Sequence, residues 1–517
     1  MPTRETGQQP SALDAAEQLP ADARSDGSAW RRTAEGVRFH LHGMTKSVLF
    51  YGPNLMRVAA YLVESPTIQP SLAVVVRPKR AGRLLPTTDR TESDSEMKTK
   101  HATHKSPFQS WAMMAVAALT LFFGVAGNSW AQKAEGLALT PPMGWNSWNK
   151  FACDIDERLL RETADAMVKS GMKDAGYQYV NIDDCWQGQR DADGNIQPDA
   201  KRFPSGMKAL ADYVHGKGLK LGIYSDAGAT TCGGRPGSRG HEYQDALVYA
   251  RWGIDYVKYD WCDTPGMSAE PAYTTMRDAI AKAGRPMVFS ICEWGMSKPW
   301  EWAGKVGHLW RTTPDIYNCF DCQFNPGFST GMGVLRILDK HADANLRNFA
   351  GPGHWNDMDM LEVGNGMSED EDRAHLSIWA MLASPLILGN DLRSMTESTR
   401  RILTNPGVIA VNQDKLGVQA LRVLVDGPLE FYAKPLDGGD WALMFLNRSN
   451  QPADVHHDWK KQVLGDDLSK RSVDFKQAVY RWSDLWSKKT GDTSGKLEAR
   501  LAPHSVLMLR LTVPAKP

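Results

Sequence analysis

The strongest chemical signal in the chain is the run Lys258-Tyr259-Asp260. On a strand, side chains alternate between faces, so Lys258 and Asp260 leave the same one. A neighbouring cation favours an ionised carboxyl and lowers its pKa. An ionised, fixed aspartate is what a covalent nucleophile must be. A second carboxyl, Asp315, closes the segment Arg311-Thr-Thr-Pro-Asp315. With a raised pKa it would donate a proton to a leaving group. Arg311 offers a rigid fork of donors for sugar hydroxyls or for Asp359. Asp183 and Asp184, adjacent at a strand end, diverge and together can accept from two neighbouring hydroxyls. Trp148 and Trp186 present flat faces that suit a sugar ring or, equally, a barrel plug.

The elements that must position these groups are legible as apolar runs. Residues 177–182 precede Asp183, 219–224 precede Asp226, 254–259 precede Asp260 and 287–291 precede Cys292-Glu293-Trp294. Residues 308–311 lead to Asp315, 354–360 contain Asp357 and Asp359, and 385–388 precede Asp391. With 144–148 as the first, eight strands alternate with helical stretches. One of these is 157–170, with apolar Leu159, Leu160, Ala164, Met167 and Val168. Eight parallel units in about 270 residues fit a closed (β/α)8 barrel, whose usual size is about 250 residues. The acids then gather at the carboxyl ends of the strands, the active-site face of such a barrel. An open doubly wound sheet is the competing fold, but no Gly-rich phosphate loop follows the first strand. After the barrel, assigned to residues 132–415, short strands at 418–424, 429–434, 441–447 and 505–512 predict a C-terminal antiparallel β-sandwich over 416–517.

Residues 1–96 hold no sustained period and are expected to be a disordered or non-native leader. At Met97 the character changes. Lys98, Lys100 and Lys105 precede an uncharged apolar run at 111–127, and Ser129-Trp-Ala131 follows with small residues at a cut site. That order is a secretory signal peptide, 97–131. The apolar run spans only about 25 Å as a helix, short for a retained anchor. The expectation is export to the periplasm or outside, with no stable membrane anchor after cleavage. All seven cysteines follow that point, where disulfides are permitted and one thiol must stay unpaired.

Lys and Arg number 60 against 60 Asp and Glu, which excludes a general nucleic-acid footprint. His354, Asp357 and Asp359 find no matching His on strands one, five or six, so no metal is expected. Cys319-x-x-Cys322, with Cys292 as a third ligand, is half a zinc knuckle; in an exported chain a local disulfide is the better reading. No Gly-x-Ser-x-Gly elbow is present, which speaks against a serine esterase.

Six segments together resemble glycoside hydrolase family 27, the α-galactosidase and α-N-acetylgalactosaminidase family. They are Met143-Gly-Trp-Asn-Ser-Trp148, Asp183-Asp-Cys-Trp186, Lys258-Tyr-Asp260, Cys292-Glu-Trp294, Trp310-Arg-Thr-Thr-Pro-Asp315 and Trp355-Asn-Asp-Met-Asp-Met360. The resemblance covers about residues 137–515. It implies a retaining α-galactosidase without cofactor, acting on α-galactoside substrates, with Asp260 as nucleophile and Asp315 as acid/base. It implies that Asp183 and Asp184 bind the 4- and 6-hydroxyls, and Lys258 and Arg311 other hydroxyls. Trp148 would wall the ring, Trp294 would bind substrate, Tyr224 would lie near the nucleophile, Glu293 would read the 2-hydroxyl, and Asp359 would support the arginine. By the same resemblance, Cys153–Cys185 and Cys232–Cys262 are disulfides, Cys232 and Cys262 line the pocket, and Cys292 is free because Gly307 stands at its partner's position. Met358 replaces a Pro frequent in relatives, and the Cys319/Cys322 pair lies in an insertion-like loop; both bear on the leaving-group side. A homo-oligomer is compatible with the resemblance.

Two other functions fit fewer residues. A β-L-arabinopyranosidase of the same family would narrow the pocket with a longer acid at the carboxylate pair, where both residues here are short. A non-catalytic galactose-binding protein would lack one of Asp260 and Asp315, and neither is lost.

Overall fold

The computed structural model describes residues 133–324 and 331–513, together with five strands between residues 29 and 74. The chain divides into two compact units, Met1–Ser110 and Trp111–Pro517. In the first unit, strands Ala29–Thr33, Gly36–Leu41, Met44–Gly52, Leu55–Leu62 and Leu72–Val74 form an antiparallel meander in chain order. This corrects the expectation that 1–96 holds no strand period. Val37, Phe39 and Leu41 alternate with polar residues, a period-two signal in a segment dominated by Arg, Thr and Ser. The expected signal peptide, 97–131, lies outside the described residues.

In the second unit eight strands form one parallel sheet. They are β1 (Met143–Asn146), β2 (Tyr179–Asn181), β3 (Lys220–Asp226), β4 (Tyr256–Asp260), β5 (Val288–Ile291), β6 (Leu309–Arg311), β7 (Trp355–Asp357) and β8 (Leu386–Leu388). Neighbours pair in chain order from β1 to β7, and β8 returns to pair with β1. The remaining seam is bridged by Leu361, whose N–H donates to Ile387 O at 2.7 Å and whose carbonyl accepts from Gly389 N at 2.9 Å. The ring is a (β/α)8 barrel.

Register sets which side chains meet. Asp226 lies opposite Asp260, Tyr224 opposite Lys258, and Arg311 opposite Asp357. Gly222 is required between Asn181 and Tyr256: a Cβ there would sit 1.9 Å from Asn181 Oδ1.

Helices cover the outside. In α1 (Glu157–Lys169), Asp156 caps the start by accepting from Leu159 N at 2.7 Å. Its buried face is Leu159, Leu160, Thr163, Ala164 and Met167. Val168, expected on that face, is exposed, because it falls about 100° off the stripe. Between β5 and β6 the expected helix is absent: the described chain makes only two short 3-10 turns, Pro299–Glu301 and Ala303–Lys305. After β7, α2 (Glu369–Met381) begins with a reciprocal cap between Ser368 and Glu371 and is buried along its last two turns. After β8, α3 (Glu397–Leu403) and α4 (Pro406–Asn412) complete the barrel.

The C-terminal part is a six-stranded sheet with two appended antiparallel pairs, the hairpin Val463–Asp466/Arg471–Asp474 and the long-range pair Ala453–Asp458/Lys496–Leu501. Its central strand, Trp441–Asn447, is buried on both faces. Ala442, Met444 and Leu446 join the barrel's apolar core, while Leu443 and Phe445 join a second core with Trp459, Leu464, Phe475 and Leu509. Strand alternation thus sews one strand into two cores. Lys434, on the adjoining strand, is buried and donates to Ala380 O at 3.0 Å and Val411 O at 2.8 Å, at the ends of α2 and α4. Burial lowers its pKa to about 7. Replacing Lys434 by Ala strands two buried carbonyls and leaves a void. Urea denaturation should show a loss of about 2–4 kcal/mol; an unchanged midpoint would remove Lys434 as the seam between the two cores.

Candidate active site

The carboxyl ends of the strands surround a pocket lined by Trp148, Asn149, Asp183, Asp184, Tyr224, Cys232, Lys258, Asp260, Trp294, Arg311, Asp315, Asp359 and Met360. The barrel brings these together from the ends of β1 to β7 and the loops that follow. Three of the turns carry non-glycine residues in left-handed backbone: Cys185 (φ 76°), Trp294 (φ 56°) and Asp359 (φ 79°). Such conformations cost about 1–3 kcal/mol each and persist where surrounding structure dictates them.

Lys258 Nζ lies 2.8 Å from Asp183 Oδ2, the oxygen that also accepts from Asn146 Nδ2 at 2.6 Å. Asp184 accepts from Cys185 N and Gly233 N, both at 2.6 Å. Asp183 and Asp184, expected to diverge, line the same pocket. Arg311 Nη2 bridges Asp315 Oδ1 at 3.0 Å and Asp359 Oδ2 at 2.7 Å. Asp359 also accepts from Ile316 N at 2.7 Å and Met360 N at 2.8 Å. Asp260 Oδ1 accepts from Trp261 N at 3.0 Å. Asp315 is unlike the rest: its side chain is 53% exposed, whereas that of Asp359 is 5% exposed.

Electrostatics differ from the sequence expectation at Asp260. Burial raises its pKa, outweighing the lowering influence of Lys258; Asp315 and Asp183 push it further up. Asp226, directly opposite on β3, is raised to about 8 by burial and by the charge of Asp260. It accepts from Gly228 N at 2.7 Å and Cys262 N at 2.9 Å. Asp359 is raised by burial against the pull of Arg311, and Asp184 by burial against its hydrogen bonds.

Two residues expected in the pocket stand behind its wall. Glu293 is fully buried, its Oε2 accepting from Ser297 N at 2.6 Å, and it does not line the cavity. The turn at Trp294 folds the Glu293 carboxylate back onto its own loop. Cys262 also lies outside the lining; its disulfide partner Cys232 is inside. Trp186, offered as a sugar face, is fully buried against Tyr249 and Trp252 and donates to Tyr224 O at 2.8 Å. It is core packing between the strand ends and the helix Glu242–Trp252, neither a sugar face nor a barrel plug. Asn146, Asn149 and Met360 were not singled out by sequence; Asn146 and Met360 sit inside two of the six segments.

Disulfides join Cys153 to Cys185, Cys232 to Cys262, and Cys319 to Cys322, leaving Cys292 as a buried thiol 3.7 Å from Arg311 Nη1. The first two fix the turns that carry Asp184 and Cys232. Asp226, Cys232 and Cys262 approach one another closely enough to suggest a metal site, but disulfide sulfurs offer no thiolate to an ion.

The arrangement has known relatives. Residues 140–414 match the family model described as Alpha galactosidase A, and residues 426–511 match the Alpha galactosidase C-terminal beta sandwich domain. The chain is 62% identical over 382 residues to Alpha-galactosidase A of Cellvibrio japonicus, covering 74% of this chain and 94% of that one. It is 48% identical over 383 residues to the Alpha-galactosidase of Oryza sativa subsp. japonica, covering 73% of this chain and 86% of that one. The crystal structure of alpha-galactosidase I from Mortierella vinacea superposes with a TM-score of 0.68 at 38% identity, over 74% of this chain and 99% of the other. On the matched barrel, the matched sandwich and these identities, the chain belongs to the α-galactosidase (melibiase) family, glycoside hydrolase family 27.

Proposed function

We propose that the protein is a retaining α-galactosidase that releases terminal non-reducing α-D-galactose from oligosaccharides, polysaccharides or glycoconjugates. The observation that carries this reading is the convergence of Asp260 and Asp315 on one pocket that also holds the carboxylate pair Asp183/Asp184, Lys258 and Arg311. Relatives named α-galactosidase support it.

Asp260 supplies an electron pair to the anomeric carbon. The glycosidic C–O bond breaks toward the leaving oxygen, which takes the proton of Asp315, and a galactosyl ester of Asp260 forms. Water then attacks the same carbon, its proton passes to Asp315, and the ester bond breaks to free Asp260 and galactose of retained configuration. The exposure of Asp315 suits a group that must reach first a leaving group and then water. Asp183 and Asp184 suit the 4- and 6-hydroxyls as acceptors. Trp148, Trp294, Tyr224 and Cys232 shape the walls, and Asp359 steadies Arg311. The short acids at 183 and 184 leave room for the hydroxymethyl group that arabinose lacks.

Export through the 97–131 signal is part of the proposal; the disulfides suit an oxidising compartment. N-terminal sequencing of the exported enzyme should begin near Gln132, and peptides from before Met97 in that product would contradict it.

Asp260→Asn should keep the fold, by circular dichroism, and lower kcat by more than about 10³-fold; near-normal turnover would assign the nucleophile elsewhere. The nucleophile acts ionised, so activity is lost as pH falls through its pKa, which burial has raised. The acid limb of kcat/KM should therefore lie above the ordinary carboxylate range. Lys258→Met removes the one strong lowering influence and should move that limb to higher pH; a limb that stays put or moves down would contradict the electrostatic account.

A further inference from the structure

Beyond Asp315 the chain builds a small three-stranded sheet. Asp315–Ile316 runs parallel to Gly331–Met332, which runs antiparallel to Gln323–Phe324. Asp315 lies opposite Gly331, and Gly331 opposite Phe324. Directly opposed residues send their side chains to one face. Asp315 and Phe324 therefore share a face with the space that Gly331 leaves empty. The ring of Tyr317 occupies that space: a Cβ on Gly331 would fall 1.7 Å from Tyr317 Cε2 and 1.8 Å from Cδ2. Only glycine lets the ring lie there, between the carboxyl of Asp315 and the ring of Phe324.

Tyr317 and Phe324 meet edge to face, their centroids 5.3 Å apart and their planes at 63°. Both stay open to solvent, at 38% and 50% exposure. The segment that carries them is held firmly. Cys319 and Cys322 close a disulfide, Tyr317 N donates to Met332 O at 2.9 Å, and Gly333 N donates to Cys322 O at 2.8 Å. Asn318 Nδ2 donates to Asn365 O at 2.6 Å, tying it to the loop after β7 that carries the pocket residue Met360. A rigid, exposed aromatic pair beside the acid is poorly explained as core packing.

We infer that Tyr317 and Phe324 form a shelf that stacks against the sugar to which the galactose is attached, so that these two residues set this chain's preference on the leaving-group side. The inference rests on reading Asp315 as the proton donor. The leaving oxygen then sits at Asp315, and the rest of the substrate extends over the face that Asp315 shares with the two rings. Aromatic faces bind the apolar C–H face of a pyranose, and the tyrosine hydroxyl adds a polar handle.

Tyr317→Ala and Phe324→Ala are compared with the parent on raffinose and on α-galactosyl fluoride, whose leaving group is one atom and needs no proton. The ratio of kcat/KM on raffinose to kcat/KM on the fluoride should fall about tenfold in each variant, carried mainly by KM for raffinose. A ratio unchanged in both variants, whether both rates hold or both fall together, would overturn the shelf. A parent that cleaves neither compound would overturn the galactosidase reading itself.

Discussion

Five carboxyl groups share the pocket with two cations, and that imbalance governs the site. Asp183, Asp184, Asp260, Asp315 and Asp359 face Lys258 and Arg311, and all of these acids but Asp315 are cut off from most water. Like charges at such spacing resist joint ionisation, and burial penalises the charged forms of Asp260, Asp184 and Asp359. The two cations cannot compensate all five, so Asp260, Asp184 and Asp359 are all displaced toward protonation. What keeps the arrangement folded is its hydrogen bonding. Lys258 and Asn146 hold Asp183, backbone amides hold Asp184 and Asp359, and Arg311 spans the last two acids. A neutral polyhydroxylated ring supplies donors to such a cluster without adding charge.

The fold exists to hold that cluster against its own repulsion. Parallel strand register puts Lys258 and Asp260 beside Tyr224 and Asp226. Two disulfides and three left-handed turns fix the loops at the rim. The sandwich contributes no residue to the pocket lining, yet its central strand completes the barrel's apolar core through Ala442, Met444 and Leu446. Strain at the site is offset by burial far from it.

Much of this was legible in the sequence, for identifiable reasons. Strand ends announce themselves, because an apolar run stops at a polar residue with the parity of the barrel interior; Asp183, Asp260 and Asp359 were found that way. The sandwich was legible from turn pairs such as Asp426-Gly427. The pairings Cys153–Cys185 and Cys232–Cys262 came only through family resemblance, since spacing does not fix connectivity, whereas the local Cys319–Cys322 bond was legible from its own spacing. Other features depend on geometry that periodicity does not encode. The segment after β5 contains Pro299, Gly304 and Gly307, too many breakers for the helix that alternation suggested. Glu293 turns back on its loop because the next residue adopts left-handed backbone, which no side-chain pattern reveals. The charge state of Asp260 depends on how much water the whole pocket excludes, and a sequence shows only its neighbour Lys258. The alternation at residues 36–41 was hidden by polar composition.

The central claim is double displacement at one carbon by Asp260 with Asp315 as the proton carrier. Proton NMR of the galactose first released from an α-galactoside, recorded before mutarotation, tests it most directly. The account predicts that the α-anomer appears first and the β-anomer grows in only as the sugar equilibrates. First release of β-galactose would mean a single inverting displacement and would contradict it.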